Sequence, residues 1–400
     1  AGGTLDNNGK TITVGRPLAA AADDGVTAVA VTGAGAGYVG APAVYFIGGA
    51  GIPATAYAVM EPDSVGSKTY KVKEIRVSSP GRYTSAPTSA VLLGGGPTTA
   101  ATLGAVSLAA NASGGMTFTG GGKTVLTGAS TYTGETLVNA GTLQLDGSLA
   151  AGSAVTVASG AKLTGAGTAA GPVVIADGGI FASLSSASKL TVGALSFEGA
   201  ATLNLRVGGG SETLTVTGAL VTAPAYGQVT VNIVEGPILW ENGSTNILLR
   251  FGSFGGSASD FSLGAIPGLG ARQAASLAID NNALVLVITG DMPYWSGEYS
   301  ADWTTATLDE PKNWRLNLSG TAVDFLNNDA VVFDDRAAAN STVNIAQNVS
   351  PVSMIFNNNT NDYALVSAGG FGITSGFLVK NGEGALTIAT GNSYTNGTTL

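Results

Sequence analysis

A tyrosine-centred sequence occurs twice in this chain. The first copy, at residues 120–147, reads GGGKTVLTGASTYTGETLVNAGTLQLDG, and the second, at 382–400, reads GEGALTIATGNSYTNGTTL. When Tyr132 is aligned on Tyr394, threonines and aliphatic residues coincide on the C-terminal side of both tyrosines. A short β-rich sequence that recurs predicts a chain built by stacking one coil on the next. We expect the second copy to be incomplete and the chain to extend beyond residue 400.

The composition favours flat, stacked β-structure. Glycine accounts for 60 of the 400 residues. Charged residues account for 11%, against about 25% in typical globular domains. With 44% hydrophobic residues, the chain has enough apolar material to build a core. Its surface must therefore consist largely of Thr, Ser, Asn and Gly, whose hydroxyl and amide groups can pair along ladders.

The chain contains no cysteine and no histidine, which excludes several kinds of chemistry. Disulfides, thiolate nucleophiles, cysteine metal sites and the commonest general base are all absent. The net charge of −9 leaves no basic patch for nucleic acid, and no apolar run reaches the roughly 18 residues of a membrane span. We therefore predict no cofactor, no nucleic-acid partner and no membrane span.

Short runs in which apolar residues alternate with small polar ones dominate the sequence. Gly, Asn, Asp or Pro interrupts these runs at intervals of roughly 8–12 residues, which is typical of all-β proteins. We predict an all-β fold of β-solenoid or parallel β-helix segments with β-sandwich-like portions, repetitive and elongated. Residues 271–277 (ARQAASL) are the exception, since they predict one or two helical turns.

The chain is predicted to contain four segments. They are an N-terminal strand or arm (1–25), a duplicated Gly-Tyr-x-x-x-Pro β repeat (26–106), a β-helical unit with a sandwich-like cap (107–290) and the truncated start of a second, Trp-opened unit (291–400). In the duplicated repeat, Tyr38 and Tyr83 each precede a proline by four positions, and Arg82 replaces the glycine in one copy. Residues 4–14 are hypothesised to add as a strand to a neighbouring molecule.

The sequence GKTVLTGASTYTGETLVNAGTLQL, residues 122–145, resembles the autotransporter-associated β-strand repeat of bacterial surface passenger proteins. The Trp-rich opening at Trp295 and Trp314 is similar to the segment that begins a new unit in such proteins. Residues 26–106 resemble a second repeat type found in some of the same chains. The resemblance implies a β-helical passenger or surface fibre, located outside the cell or on the bacterial cell surface.

Trp295, Trp303 and Trp314 are the candidate interaction residues. Exposed indoles stack on sugar faces, so these three residues predict either a carbohydrate platform or, as the favoured alternative, rings that close a coil stack or join two units. Oxygen ligands suitable for calcium lie nearby, at Asp324, Asn327, Asn328, Asp329, Asp334 and Asp335. They lack the glycine-aspartate nonapeptide of calcium-binding β-rolls, so we interpret them as solvated turn residues. The polar run of Asn357, Asn358, Asn359, Asn361 and Asp362 is interpreted as a loop in preference to an amide ladder.

No catalytic site is predicted. Two carboxylate pairs, Asp302 with Glu310 and Glu235 with Glu241, match the spacing of glycoside cleavage only loosely. The sequence predicts a non-enzymatic extracellular structural protein, a surface fibre or filament subunit that serves adhesion or matrix through repeat stacking and head-to-tail association with other copies. The alternatives are an adhesin that binds surface glycans and a β-helical enzyme that cleaves polysaccharides.

Overall fold

The computed structural model describes residues 2–207, 212–223, 229–234, 240–337 and 340–400. The chain forms two compact units. The first consists of Ala1–Gly3, Leu18–Met116 and Ser130–Gly134, and the second of Thr4–Pro17, Thr117–Ala129 and Glu135–Leu400. As the sequence predicts, the fold is all-β, and the described residues contain no α-helix. In those same residues, no helix is long and apolar enough to cross a membrane.

The chain begins one coil of the second unit and then leaves it to build the first unit. That coil contains β1 (Gly3–Asp6) and β2 (Thr11–Val14). The first unit contains β3 (Asp24–Gly33), β4 (Ala43–Ile47), β5 (Ala50–Ile52), β6 (Thr55–Pro62), β7 (Tyr70–Ser79), β8 (Arg82–Ser85), β9 (Ser89–Leu93) and β10 (Thr102–Ala110). They form two antiparallel sheets, ordered β10-β3-β8-β5 and β7-β6-β4-β9, which share one core and give a sandwich-like arrangement.

The two copies of the duplicated sequence interlock within the first unit. Tyr38 and Tyr83 are both buried, and the hydroxyl group of each accepts a backbone N–H at 2.8 Å. Each ring also lies against the glycine turn of the other copy, Tyr38 beside Gly95 and Tyr83 beside Gly49. Both glycines have positive φ, and a Cβ at Gly95 would come within 2.7 Å of the Tyr38 ring. Each copy therefore completes the packing of the other, and the turns require glycine.

The chain re-enters the second unit at residue 116 and winds through successive coils. Their strands are β11 (Met116–Thr119), β12 (Lys123–Leu126), β13 (Thr136–Val138), β14 (Thr142–Leu145), β15 (Ser148–Leu149), β16 (Val155–Val157), β17 (Lys162–Gly165), β18 (Thr168–Ile175), β19 (Ile180–Ala182), β20 (Leu190–Phe197), β21 (Thr202–Leu205), β22 (Leu214–Val221), β23 (Val229–Ile233), β24 (Thr245–Phe254) and β25 (Phe261–Leu263). One sheet has the order β1-β11-β13-β16-β18-β20-β22-β24, and the other has the order β2-β12-β14-β17-β19-β21-β23-β25. This arrangement is a β-solenoid.

The pairing keeps its register from coil to coil. Lys123 pairs in parallel with Thr142, and Thr142 with Lys162, so these coils contain about 20 residues each. One interior column is apolar and at most 2% exposed, and consists of Leu143, Leu163, Phe181, Leu203 and Val231. A slip of one residue would turn such a column towards solvent, because side chains alternate across a strand. The interior therefore fixes how the coils stack.

An antiparallel hairpin follows the first coil stack. It consists of β26 (Gln273–Asp280) and β27 (Ala283–Gly290), and β27 pairs with β24. The helical turns expected at 271–277 are wrong, because Gln273–Asp280 pairs along its whole length with β27. Strand pairing outweighs the weak helix propensity of a short alanine-containing segment.

The N-terminal segment is already paired within its own chain. Strand β2 runs parallel to β12, from Thr11 opposite Lys123 to Val14 opposite Leu126. Strand β2 lies at the edge of its sheet, so the hypothesis that residues 4–14 add to a neighbouring molecule stays a prediction. The segment supplies the first coil of the second unit because its alternating apolar residues continue the interior of the following coils.

A second coil stack begins at residue 293. Its strands are β28 (Pro293–Trp295), β29 (Asp302–Trp303), β30 (Trp314–Leu316), β31 (Ala322–Val323), β32 (Ala330–Asp334), β33 (Thr342–Ile345), β34 (Ser353–Asn357), β35 (Tyr363–Val366), β36 (Leu378–Asn381), β37 (Leu386–Ile388) and β38 (Thr398–Thr399). The sheet orders are β31-β30-β28-β32-β34-β36-β38 and β29-β33-β35-β37. Strands β30 and β31 are antiparallel and cover one side of β28, whereas the later strands pair in parallel.

Replacing Leu163 by alanine tests the interior column. Leu163 is 1% exposed and lies in register between Leu143 and Phe181 of the neighbouring coils. We expect Leu163→Ala to lower the free energy of unfolding by about 2–5 kcal/mol, because the cavity adds to the lost burial. The measurement is urea unfolding followed by circular dichroism. Lys162→Ala, at the neighbouring and less buried position of the same strand, is the control, and an equal loss in both variants would contradict the assignment.

Candidate functional surfaces

The three candidate tryptophans lie inside the second coil stack. Trp295 and Trp303 are 0% exposed, and Trp314 is 1% exposed. Trp295 and Trp314 face each other across β28 and β30, and their rings meet edge to face with centroids 5.1 Å apart. Stacking on a sugar requires an exposed ring face, which none of the three indoles offers in the folded chain. Their geometry is that of a core.

Phenylalanines extend this aromatic packing into the following coils. Phe333 of β32 is in register with Phe356 of β34, and their rings stack with centroids 4.4 Å apart and planes 5° apart. That separation is close to the distance of about 4.8 Å between paired strands. Trp303 and Trp314 both lie against Phe333, at 5.5 and 5.4 Å. The tryptophans thus begin an aromatic column at the first coil of the stack.

Hydrogen bonding distinguishes the three indoles. Trp295 Nε1 donates to the Asn340 carbonyl at 2.7 Å. The indole nitrogens of Trp303 and Trp314 have no hydrogen-bond partner among the described residues. The three rings are therefore equally buried, but only the N–H of Trp295 contributes a hydrogen bond to the core.

The carboxylates considered for calcium are engaged by the protein. Three of them form ion pairs of 2.5–3.1 Å, namely Asp324 with Lys312, Asp329 with Arg272 and Asp334 with Arg336. Burial raises the pKa of Asp329, while the Leu326 N–H and Arg272 oppose that rise. Within the described part of the chain, no cluster of three or more acidic side chains could hold a metal ion. These carboxylates do not converge on one site.

Asp335 fastens one coil to the next. Its carboxylate accepts the backbone N–H groups of Asn359, Thr360 and Asn361, one coil further on, at 2.9–3.1 Å. These donors lower the pKa of Asp335 to about 2, because they stabilise the charged form. A turn residue that the sequence presents as solvated is therefore part of the contact between coils.

The same contact recurs along both stacks. In each case a side-chain oxygen of one coil accepts a backbone N–H of the next at 2.7–3.2 Å, as for Asn7 with Gly122, Asp177 with Ala200, Asn232 with Ala265, Asn327 with Ser350, Asn344 with Ala368, Asn348 with Gly372 and Asp362 with Ala385. The residues share the ability to accept a bond from a turn, as Asn and Asp commonly do. In the sequence, this contact corresponds to an Asn or Asp about one coil before the turn whose backbone N–H it accepts.

The Asn-rich run at 357–361 combines a ladder with a turn. Asn381 Nδ2 donates to Asn357 Oδ1 at 2.8 Å, one coil away. Asn358 is fully buried, and its Nδ2 donates to the carbonyls of Asn361 and Ala385. The interpretation of the run as a loop is confirmed for residues 358–362, which lie between β34 and β35, whereas Asn357 ends β34 and aligns its amide with that of Asn381.

The carboxylate pairs considered for sugar cleavage gain no support from their surroundings. Asp302 Oδ1 accepts a hydrogen bond from Asn344 Nδ2 at 2.7 Å, and Glu310 is exposed in a turn. Glu235, which was considered with Glu241, lies outside the described residues.

An exposed apolar face lies on the first unit, and sequence reasoning missed it. Ala43 of β4 pairs with Leu93 of β9 on one side and with Tyr57 of β6 on the other. Tyr45 and Ile47 lie on the same face of β4, because side chains alternate along a strand. The side chains of Tyr45, Ile47, Tyr57 and Leu93 are 46–56% exposed. Contiguous exposed apolar surface of this kind is typical of interaction sites.

Two cations beside this face are paired with carboxylates. Arg76, opposite Tyr57, contacts Glu74 at 2.8 Å, and Lys71 contacts Glu61 at 3.5 Å. A hydrogen bond with Tyr57 and the charge of Glu74 raise the pKa of Arg76. These two pairs add no net charge to the rim of the face, although the whole chain carries −9.

Register-locked coils built from short repeats define this chain as a β-solenoid. The model of the passenger-associated-transport-repeat family matches residues 116–145 and 378–400. The two matches cover the strand-forming parts of the tyrosine-centred copies and correspond to β11–β14 and β36–β38. The predicted autotransporter passenger repeat is thus confirmed at both places, and a passenger repeat implies exposure at the cell surface. No curated protein sequence matches this chain.

Phenylalanine substitutions should separate the tryptophans by their hydrogen bonds. Trp295→Phe leaves the Asn340 carbonyl without its indole donor, whereas Trp303→Phe removes an N–H that has no partner among the described residues. We expect Trp295→Phe to cost about 1–3 kcal/mol more stability than Trp303→Phe. Urea unfolding measures the difference. A larger loss in Trp303→Phe would contradict this account of the core.

Asp335→Asn tests the contact between coils through its pH dependence. The folded pKa of about 2 lies below the ordinary 3.8. The charged form therefore stabilises the fold above about pH 4, and this contribution is lost as the pH falls to about 2. We expect thermal melting of the wild type to weaken across that window, and the decline to be smaller in Asp335→Asn. Asn139→Ala, which changes no ionisable group, is the control, and identical declines in all three proteins would contradict the prediction.

Proposed function

We propose that this chain is a non-enzymatic structural segment of a surface passenger, which serves adhesion or matrix formation by associating with other copies of itself. The two passenger repeats support the location at the cell surface. The exposed face formed by Tyr45, Ile47, Tyr57 and Leu93 is the observation that carries the association. Self-association through this face would form a closed dimer, and the head-to-tail filament expected from the sequence would need a further contact.

Burial of this face against a second copy is favourable for two reasons. Apolar surface removed from water contributes about 25 cal/mol per Å², and tyrosine rings supply a large area with few rotatable bonds. In addition, Arg76 and Lys71 of the rim are each paired with a carboxylate. Two copies of a chain with net charge −9 can therefore meet here with little local repulsion. A contact of a face with itself across a two-fold axis is the commonest way to form a dimer.

The coil stacks suit a structural role because their side chains are largely committed to packing. Interior columns, aromatic stacks and coil-to-coil hydrogen bonds leave a body whose neighbouring coils are held at fixed spacing. The sugar-binding alternative has no support at the buried tryptophans, and the sugar-cleaving alternative has none at Asp302. The proposal therefore places recognition on outward faces.

The test is the association state of the purified chain as a function of concentration. We expect the wild type to self-associate below about 100 µM, and Tyr45→Lys combined with Leu93→Lys to weaken association at least roughly tenfold. Sedimentation velocity measures both. Tyr299→Lys changes a tyrosine that is 43% exposed elsewhere, so it is the matched control and should behave as the wild type does. A wild type that stays monomeric throughout, or a double variant that associates equally well, would refute the proposal.

A further inference from the structure

A groove of about 360 Å³ lies beside the outer face of the second coil stack. Its floor includes the apolar side chains of Val332 and Ile355. Polar side chains surround them, among which are Glu241, Asn317, Asn357 and Asn381. The groove is separate from the tyrosine face of the first unit, so what it binds is independent of the self-association proposed above.

Strand register builds the groove as two parallel columns. Val332 of β32 is in register with Ile355 of β34, and Asp334 is in register with Asn357. Asn357 is in turn in register with Asn381 of β36. Residues two apart on a strand share a face, so the apolar and polar columns run side by side. Successive members of each column are about 4.8 Å apart, the spacing of paired strands.

The side-chain amides around the groove have donor and acceptor atoms that form no hydrogen bond within the described protein. Asn381 Nδ2 donates to Asn357 Oδ1 at 2.8 Å, and Arg336 donates to Asn317 Oδ1 at 2.7 Å. Nδ2 of Asn317 and of Asn357, and Oδ1 of Asn381, have no partner among the described residues. An amide offers two donors and an acceptor with two lone pairs, so donors and acceptors both face a ligand here.

The charges of the groove exclude an anionic ligand. Arg336 is paired with Asp334, and its guanidinium group lies 3.7 Å from the centre of the Tyr294 ring. This cation is therefore engaged within the protein. The carboxylate of Glu241 forms no ion pair among the described residues, and it gives the rim a negative charge that repels anions.

We propose that this groove binds a neutral saccharide. The C–H face of a sugar ring would cover the exposed side chain of Leu318 and the small exposed parts of Val332 and Ile355, which are 7% and 6% exposed. Its hydroxyl groups, each a donor and an acceptor, would meet the free atoms of the amide column. An apolar ligand would leave those amide groups unpaired on burial, which costs free energy. The repeated columns also suit a short oligosaccharide, because more than one sugar ring can meet the same arrangement of side chains on successive coils.

The test titrates the whole chain with a panel of neutral oligosaccharides of glucose, mannose, xylose and N-acetylglucosamine, with oligogalacturonate as the acidic comparison. We expect at least one neutral member to bind with a Kd of about 1 mM or tighter by calorimetry. Two variants should weaken that binding at least roughly tenfold. Asn357→Ala removes a member of the polar column, and Leu318→Asp, at a lining residue that is 68% exposed, replaces the apolar contact by a charge.

The control is Asn139→Ala, which removes an exposed asparagine outside the groove and should bind as the wild type does. Circular dichroism of every variant checks that the fold is retained, and Leu318→Asp keeps the test decisive if Asn357→Ala unfolds. The proposal fails if no neutral member binds at about 10 mM. It also fails if folded Leu318→Asp binds as tightly as the wild type, or if oligogalacturonate is preferred.

Discussion

The in-register pairing of each coil with the next is the constraint on which the rest of the second unit depends. It brings equivalent positions of successive coils to about 4.8 Å, so interior side chains must pack against their counterparts on the next coil, and each corner must satisfy its neighbour's backbone. Phe333 and Phe356 show the first requirement, and Asp335 shows the second. Gly165, opposite Leu145 and with positive φ, shows a third, since a Cβ there would collide with the backbone of the preceding coil.

Packing of this kind determines where function can lie. Inward residues of the coils are committed to the core, and many corner residues are committed to the next coil, so variation is tolerated mainly on outward faces. The three tryptophans illustrate the point. Their large rings fill the interior, and because they are buried they cannot contact a ligand. Both surfaces to which we assign binding, the tyrosine face of the first unit and the groove beside β32 and β34, are outward.

The repeats in the sequence were sufficient to predict the all-β solenoid, because recurrence and period-2 alternation report stacking directly. They could not predict the exposed face, since β4 (AVYFI) is apolar at every position and alternation does not show which side is covered. The corner contacts of Asp335 were missed because their partners lie a whole coil away in sequence. The same applies to residues 271–277, where pairing with β27, and not local propensity, decides the structure.

Cross-linking of introduced cysteines tests the register most directly, since the chain has no native cysteine. Thr142 and Lys162 are opposite each other on adjacent coils, whereas Thr164 is displaced by two positions. A disulfide requires Cα atoms within about 7 Å, which adjacent parallel strands provide only for residues in register. The account predicts that Thr142→Cys combined with Lys162→Cys forms an intramolecular disulfide on mild oxidation, and that Thr142→Cys combined with Thr164→Cys does not. Equal cross-linking of both pairs, or of the displaced pair alone, would contradict it.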